Sequence, residues 1–131
     1  MMKLDHIAIW VKDLEKLKAF YQKYFNGKSN FRYTNEEKEY RSYFLTFDSG
    51  SRLELMQRPD VQTVLRVNAE QEFMGFTHLA FSVGSEAQVD ELTAKLEDDG
   101  FRCVSAPRRT GDGYYESVIL DPENNRVEIT A

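Results

Sequence analysis

Two stretches of the chain repeat one another, and that repeat limits what the chain can fold into. Leu4 to Val11 reads LDHIAIWV and Phe76 to Val83 reads FTHLAFSV, with histidine third in each. These histidines, His6 and His78, lie 72 positions apart and are the only two in the chain. Near the close of each half a second pair of segments matches, Arg52 to Met56 (RLELM) and Arg126 to Thr130 (RVEIT). Their glutamates, Glu54 and Glu128, lie 74 positions apart. Nearly equal offsets at two marks indicate a duplicated module, each copy one supersecondary unit.

The periodicity gives each copy the same plan. The opening segment alternates with the strand period of two, so Ile7, Ile9 and Val11 share one face and His6, Ala8 and Trp10 the other. Leu79, Phe81 and Val83 oppose His78, Ala80 and Ser82 in the same way. Leu14, Leu17, Tyr21, Tyr24 and Phe25 then recur at helical spacing, with Asp13 as N-cap and Gly27 as stop. In the second copy Ser85 and Gln88 form a capping box, Val89, Leu92 and Leu96 supply the apolar stripe, and Gly100 ends the helix. Three further strands are predicted in each half: 30–34, 40–47 and 52–57, then 101–105, 115–120 and 126–130. Between the last two of each half, Gly50 and Asn124 suit the positive φ of a tight turn. The expected fold class is α+β: one domain built of two tandem βαβββ modules, 1–57 and 76–131, joined by a linker over 58–75. They form a curved mixed sheet around the candidate site.

Composition narrows the function classes. A length of 131 residues leaves room for one domain or two small fused modules. With 41% hydrophobic and 30% charged residues the chain is an ordinary globular one. A formal net charge of −5 supplies no basic footprint for nucleic acid or anionic membrane. No apolar run approaches the roughly 18 residues of a membrane helix, and Lys12, Asp13 and Glu15 close the first apolar segment too soon for a leader. The single cysteine, Cys103, has no internal disulfide partner and reads as a buried, inert thiol in a reducing compartment. The expected location is cytoplasmic.

Strand alternation also decides where the repeated histidines and glutamates point. Leu53 and Leu55 oppose Glu54, and Val127 and Ile129 oppose Glu128, so both carboxylates leave the aliphatic face that the helix covers. Each module then offers one imidazole and one carboxylate on its uncovered face. A lone strand histidine or glutamate is most often a surface residue. Here both histidines of the chain fall at the same repeat position, and both closing strands carry a carboxylate. Pairing the modules brings His6, Glu54, His78 and Glu128 together as ligands for one borderline divalent ion, with positions left for water or substrate.

These segments resemble the vicinal oxygen chelate superfamily, also called the glyoxalase/bleomycin resistance/dioxygenase family. Its carriers here are LDHIAIWVKDLEKLKAFY, FTHLAFSV and DPENNRVEIT, and the resemblance spans nearly the whole chain. The order His, Glu, His, Glu is similar to the glyoxalase I ligand set. Ring-cleaving dioxygenases and fosfomycin enzymes use two histidines and one glutamate. The resemblance therefore implies a lyase of the lactoylglutathione lyase type, acting on the hemithioacetal of a thiol and a 2-oxoaldehyde by proton transfer through an enediolate. Glu128 would be the base, Glu54 its counterpart, and both would also be ligands. The implied metal is nickel, cobalt or zinc, with manganese or iron as alternatives. The implied assembly is a homodimer with each site shared between subunits. A ferrous extradiol-type dioxygenase and a non-catalytic, drug-sequestering protein like the bleomycin-resistance members are the rival readings.

The sequence departs from that family at two places. Trp10 stands four residues after His6 where glutathione-using bacterial glyoxalases carry arginine, and Arg58 stands four after Glu54 where they carry asparagine. The thiol is then expected to differ from glutathione. Trp10 would wall the substrate pocket, and Arg108 and Arg109, in the 107–113 loop, would meet an anionic group.

Overall fold

The computed structural model describes all 131 residues, Met1–Ala131. The chain divides into two compact units, Met1–Val64 and Leu65–Ala131. The first contains β1 (His6–Trp10), α1 (Leu14–Phe25), β2 (Lys28–Ser29), β3 (Tyr33–Asn35), β4 (Tyr40–Thr46) and β5 (Arg52–Gln57). The second contains β6 (His78–Ser82), α2 (Glu86–Asp98), β7 (Cys103–Arg109), β8 (Tyr115–Leu120) and β9 (Arg126–Thr130). This is the α+β fold that the repeat predicts, with one mixed sheet in each unit.

In both sheets the opening strand pairs in parallel with the closing strand. The orders are β1-β5-β4-β2, with β3 also on β4, and β6-β9-β8-β7. Parallel pairing of first and last strands requires a crossover, which α1 and α2 provide by packing on the aliphatic face. Asp13 caps α1 by accepting from the Lys16 amide at 3.1 Å, and Ser85 caps α2 by accepting from the Gln88 amide at 3.2 Å. The end of α1 differs from expectation: Asn26, not Gly27, takes the left-handed position with φ 59°. At Gly27 a Cβ would lie 3.2 Å from the Phe47 ring, so any larger residue there would push that ring aside.

The core of each unit lies between helix and sheet. In the first, Leu17, Phe20 and Tyr21 of α1 are buried against Leu45, Leu53 and Leu55. In the second, Val89 and Leu96 of α2 are buried with Ile119, Leu120, Val127 and Ile129. Removing these side chains from water is the main favourable term, roughly 1.5–3 kcal/mol for each large one. No helix is long and apolar enough to cross a membrane.

Three segments differ from the sequence expectation. Of the strand predicted over 30–34 only Tyr33 and Thr34 lie in a strand, β3, with β2 ending just before it. At Asn30 the side-chain Oδ1 accepts the Phe44 amide at 2.9 Å while the backbone amide donates to the Phe44 carbonyl at 3.1 Å. The Pro107–Arg109 stretch, expected in a loop, closes β7, reached through register shifts on either side of Ser105. The 58–75 segment does not stand apart from both units. From Leu65 onward it belongs to the second, tied down by Arg66 donating to the Asn124 carbonyl at 2.9 Å and Arg126 donating to the Glu70 carbonyl at 3.0 Å.

Candidate metal centre in two matching half-sites

The parallel pairing of opening and closing strands places the repeated residues. Ala8 lies opposite Glu54 in β1 and β5, and Ala80 lies opposite Glu128 in β6 and β9. The two registers are the same, so each histidine stands one pleat from its glutamate on the face away from the helix. His6 Nε2 is 3.5 Å from Glu54 Oε1, and His78 Nε2 is 3.1 Å from Glu128 Oε2. The imidazoles are about equally exposed, 35% and 36%, while the carboxylates are more enclosed at 15% and 21%.

That separation suits donors to a shared ion. Two ligand atoms each about 2.0–2.2 Å from a divalent cation lie about 3 Å apart when their bonds are near right angles. Imidazole with carboxylate is also the donor chemistry of borderline divalent ions. Within either unit no third histidine, cysteine, aspartate or glutamate completes a metal-binding group. Each unit therefore holds half of the proposed ligand set.

The surroundings of the half-sites were not evident from the repeat. In the first unit His6 Nδ1 is 2.7 Å from Asp5 Oδ2, which also accepts from Arg52 Nη2 at 2.5 Å. The His6 and Arg52 hydrogen bonds hold the Asp5 carboxyl below its ordinary range. The Phe44 ring packs against the His6 ring with centroids 5.0 Å apart, and the Tyr40 hydroxyl donates to Glu54 Oε2 at 3.2 Å. In the second unit the neighbour of Glu128 is another acid, Glu116. Burial first, then its hydrogen bond with Glu128 and the charge of Glu128, push the Glu116 carboxyl above the ordinary range.

Counting alternation in β4 would have put Tyr40 on the same face as Phe44, which lies opposite Glu54, and counting β8 would have done so for Glu116. Asp5 is harder to anticipate. Strict alternation sends residues 5 and 6 to opposite faces, but β1 begins only at His6, which leaves Asp5 free to turn back to the ring.

The substrate residues expected from sequence fall in different places. Trp10 lies on the His6 face, 41% exposed, with the Arg58 guanidinium 5.0 Å above its ring and the Tyr40 ring edge-on at 6.2 Å. Arg108 pairs in register with Glu116 and so shares the Glu128 face. Arg109 points the other way, to Glu86 of α2, and stacks over Tyr115, whose hydroxyl donates to Asp90 of the same helix at 2.6 Å. Cys103 donates to the Ser105 carbonyl at 3.3 Å, and burial pushes its thiol up, away from the nucleophilic form.

Residues 3–129 match the Glyoxalase/Bleomycin resistance protein/Dioxygenase superfamily. The chain belongs to this superfamily. Among its relatives is YqjT of Bacillus subtilis (strain 168), an uncharacterized protein 29% identical over 98% of both chains. Lactoylglutathione lyase of Schizosaccharomyces pombe (strain 972 / ATCC 24843) is also 29% identical over 98% of this chain, which spans 47% of that enzyme. Among solved structures, a point mutant of the genomically encoded fosfomycin resistance protein FosX from Listeria monocytogenes, in complex with Mn(II) and 1S,2S-dihydroxypropylphosphonic acid, aligns with a TM-score of 0.75. It is 25% identical, and the match covers 100% of this chain and 93% of that one. Members of the superfamily thus include metal-bound proteins and a lyase.

Proposed function

We propose that this protein is a divalent-metal-dependent lyase of the glyoxalase I type, which isomerises the hemithioacetal of a 2-oxoaldehyde to a 2-hydroxyacyl thioester. The observation that carries the reading is the pair of His–Glu half-sites set by the same strand register, which together would supply four ligands. A three-ligand dioxygenase would leave Glu54 without a role. His6, Glu54, His78 and Glu128 would hold the ion, with nickel, cobalt or zinc fitting the donors best. When bound, it supplies stabilisation of negative charge on the substrate oxygens.

The residues of the chain divide the remaining work. Glu128 accepts the proton from the hemithioacetal carbon and returns it to the adjacent carbon, so no oxidant or reductant is consumed. Glu54, which accepts from the Tyr40 hydroxyl, is assigned mainly to holding the ion. His6 and His78 remain fixed ligands. Trp10 walls the apolar part of the substrate, with Arg58 beside it in place of the glutathione-recognising groups of the bacterial enzymes. Arg108, on the Glu128 face, meets an anionic group of the thiol, whereas Arg109 braces β7 against α2.

The assembly in this reading is a homodimer, each ion taking His6 and Glu54 from one subunit and His78 and Glu128 from the other. The apolar side chains of Phe31, Leu65, Met74 and Phe76, between 88% and 102% exposed, give a partner subunit surface to cover. The test is reconstitution of metal-free protein with nickel, cobalt or zinc, followed by assay on methylglyoxal hemithioacetals of several thiols. Metal-dependent thioester formation with at least one thiol is expected. Stoichiometric metal without turnover on any of them would overturn the lyase assignment.

A further inference from the structure

We infer that Asp5 is a positioning residue that holds His6 in the tautomer with hydrogen on Nδ1, presenting a bare Nε2 to an incoming ligand. The inference extends the metal reading proposed above, but its first measurement needs no metal. It starts from the 2.7 Å contact between His6 Nδ1 and Asp5 Oδ2. An ionised carboxylate can only accept, so the hydrogen in that contact belongs to the imidazole. In the neutral ring Nε2 is then the lone-pair nitrogen, and it is the nitrogen that faces Glu54 at 3.5 Å.

Three contacts fix the arrangement. Arg52 lies opposite His6 in the strand register and donates to the same Asp5 oxygen at 2.5 Å, so the carboxylate is aimed before His6 binds it. The guanidinium in turn sits 4.5 Å above the Phe44 ring, and Phe44 packs edge-on against the imidazole. His6 is thus held at Nδ1 and along its ring. A carboxylate on the far nitrogen of a ligating histidine fixes the tautomer and raises ligand basicity, and removing such a partner typically costs about 10- to 100-fold in metal affinity.

The second unit makes a different choice at the same place. Thr77, 72 positions after Asp5, donates to Glu72 at 3.2 Å. Arg126, the counterpart of Arg52, is drawn to Glu72 at 3.5 Å and to the Glu70 carbonyl. The repeat thus keeps the ligand but not its buttress, which makes the histidine of the first unit the pre-oriented one.

The experiment is long-range proton–nitrogen correlation on metal-free, nitrogen-15-labelled protein at about pH 9, above the ordinary histidine range. With only two histidines the assignment follows from His78→Ala. His6 is expected as the Nδ1–H form. Asp5→Ala should move it toward Nε2–H, while Asp5→Asn, whose amide oxygen still accepts, should hold it in part. Zinc alone, titrated into the same proteins, should bind about 10- to 100-fold more weakly to Asp5→Ala, with a smaller loss for Asp5→Asn. Thr77→Ala should change neither reading, and thermal melts verify that every variant is folded. An Nε2–H form in the unaltered protein, or no change of tautomer in Asp5→Ala, would overturn the inference. Unaltered protein that binds no zinc yet keeps the Nδ1–H form would overturn the metal reading and uphold Asp5 as the residue that sets the tautomer.

Discussion

The two units share a register and differ in what surrounds it. Offsets of 72 on the β1–α1 side and 74 on the β4–β5 side relate them throughout, so counterparts can be compared one by one. Tyr21 and Tyr43, buried between helix and sheet in the first unit, are replaced by Thr93 and Ser117 in the second. Tyr40 opens β4 and its counterpart Tyr114 immediately precedes β8, but only the Tyr40 hydroxyl reaches the adjacent glutamate, at 3.2 Å. Ser42, buried beside Glu54's strand, has the acidic Glu116 as its counterpart. The proposed ligand positions are thus common to both halves, while the residues that brace or perturb them are not. The first half-site is braced by Asp5, Tyr40 and Phe44, and the second places its carboxylate beside another that holds its proton more tightly.

The largest expected effect separates the two glutamates. Glu128→Gln should lower kcat by about 10²–10⁴-fold while retaining part of the metal, because an amide coordinates weakly and accepts no proton. Glu54→Gln should show the opposite balance, with the greater loss in metal retention. Equal losses of kcat and metal in both variants would erase the proposed division of labour. Glu54→Ala with full activity would favour the three-ligand, dioxygenase-type reading.

A smaller effect tests the cores. Thr93 Oγ1 lies 2.7 Å from Ser117 Oγ and donates to the Val89 carbonyl at 2.6 Å, with both residues buried. Thr93→Val leaves the Ser117 hydroxyl without its partner and should cost about 1–3 kcal/mol in chemical unfolding. The double variant Thr93→Val with Ser117→Ala should recover most of it. Tyr43→Phe in the first unit should cost less, since its partner Glu15, at 2.7 Å, is half exposed and can turn to water. A larger loss for Tyr43→Phe than for Thr93→Val would reverse the contrast.

The smallest effect is a pH dependence. The Glu116 carboxyl is raised in the folded protein above its ordinary value of 4.5, by burial and then by Glu128. In the window just above 4.5 the folded chain therefore binds more protons than the unfolded one, and stability falls as pH rises through it. Above the raised folded-state value the penalty is fully present. Glu116→Gln should raise stability at about pH 7, with no gain well below the ordinary glutamate range. The same gain at both pH values would show that charge is not the cause.

How much of this was legible in the sequence follows from periodicity. The alternation of β1, β5, β6 and β9 placed His6, Glu54, His78 and Glu128 on one face of each sheet, because a period of two leaves no other side for them. The helices were legible from their apolar stripes and from Asp13 and Ser85. What escaped were choices made by side-chain hydrogen bonds and ion pairs. Asn30 accepts Phe44's amide with its side chain, Asp5 turns back to its neighbour, and Arg109 pairs with α2 while Arg108 does not. None of these has a periodic signature, since each depends on register and on which strand end frays.

Two half-sites serving one ion are the central claim, and metal stoichiometry tests it directly. Protein loaded with zinc, freed of excess and analysed by elemental mass spectrometry should carry one ion per chain. That ion should be lost on either His6→Ala or His78→Ala, because a borderline ion deprived of one of four ligands loses both affinity and geometry. Two ions per chain, or one ion surviving either substitution at full stoichiometry, would contradict the shared site.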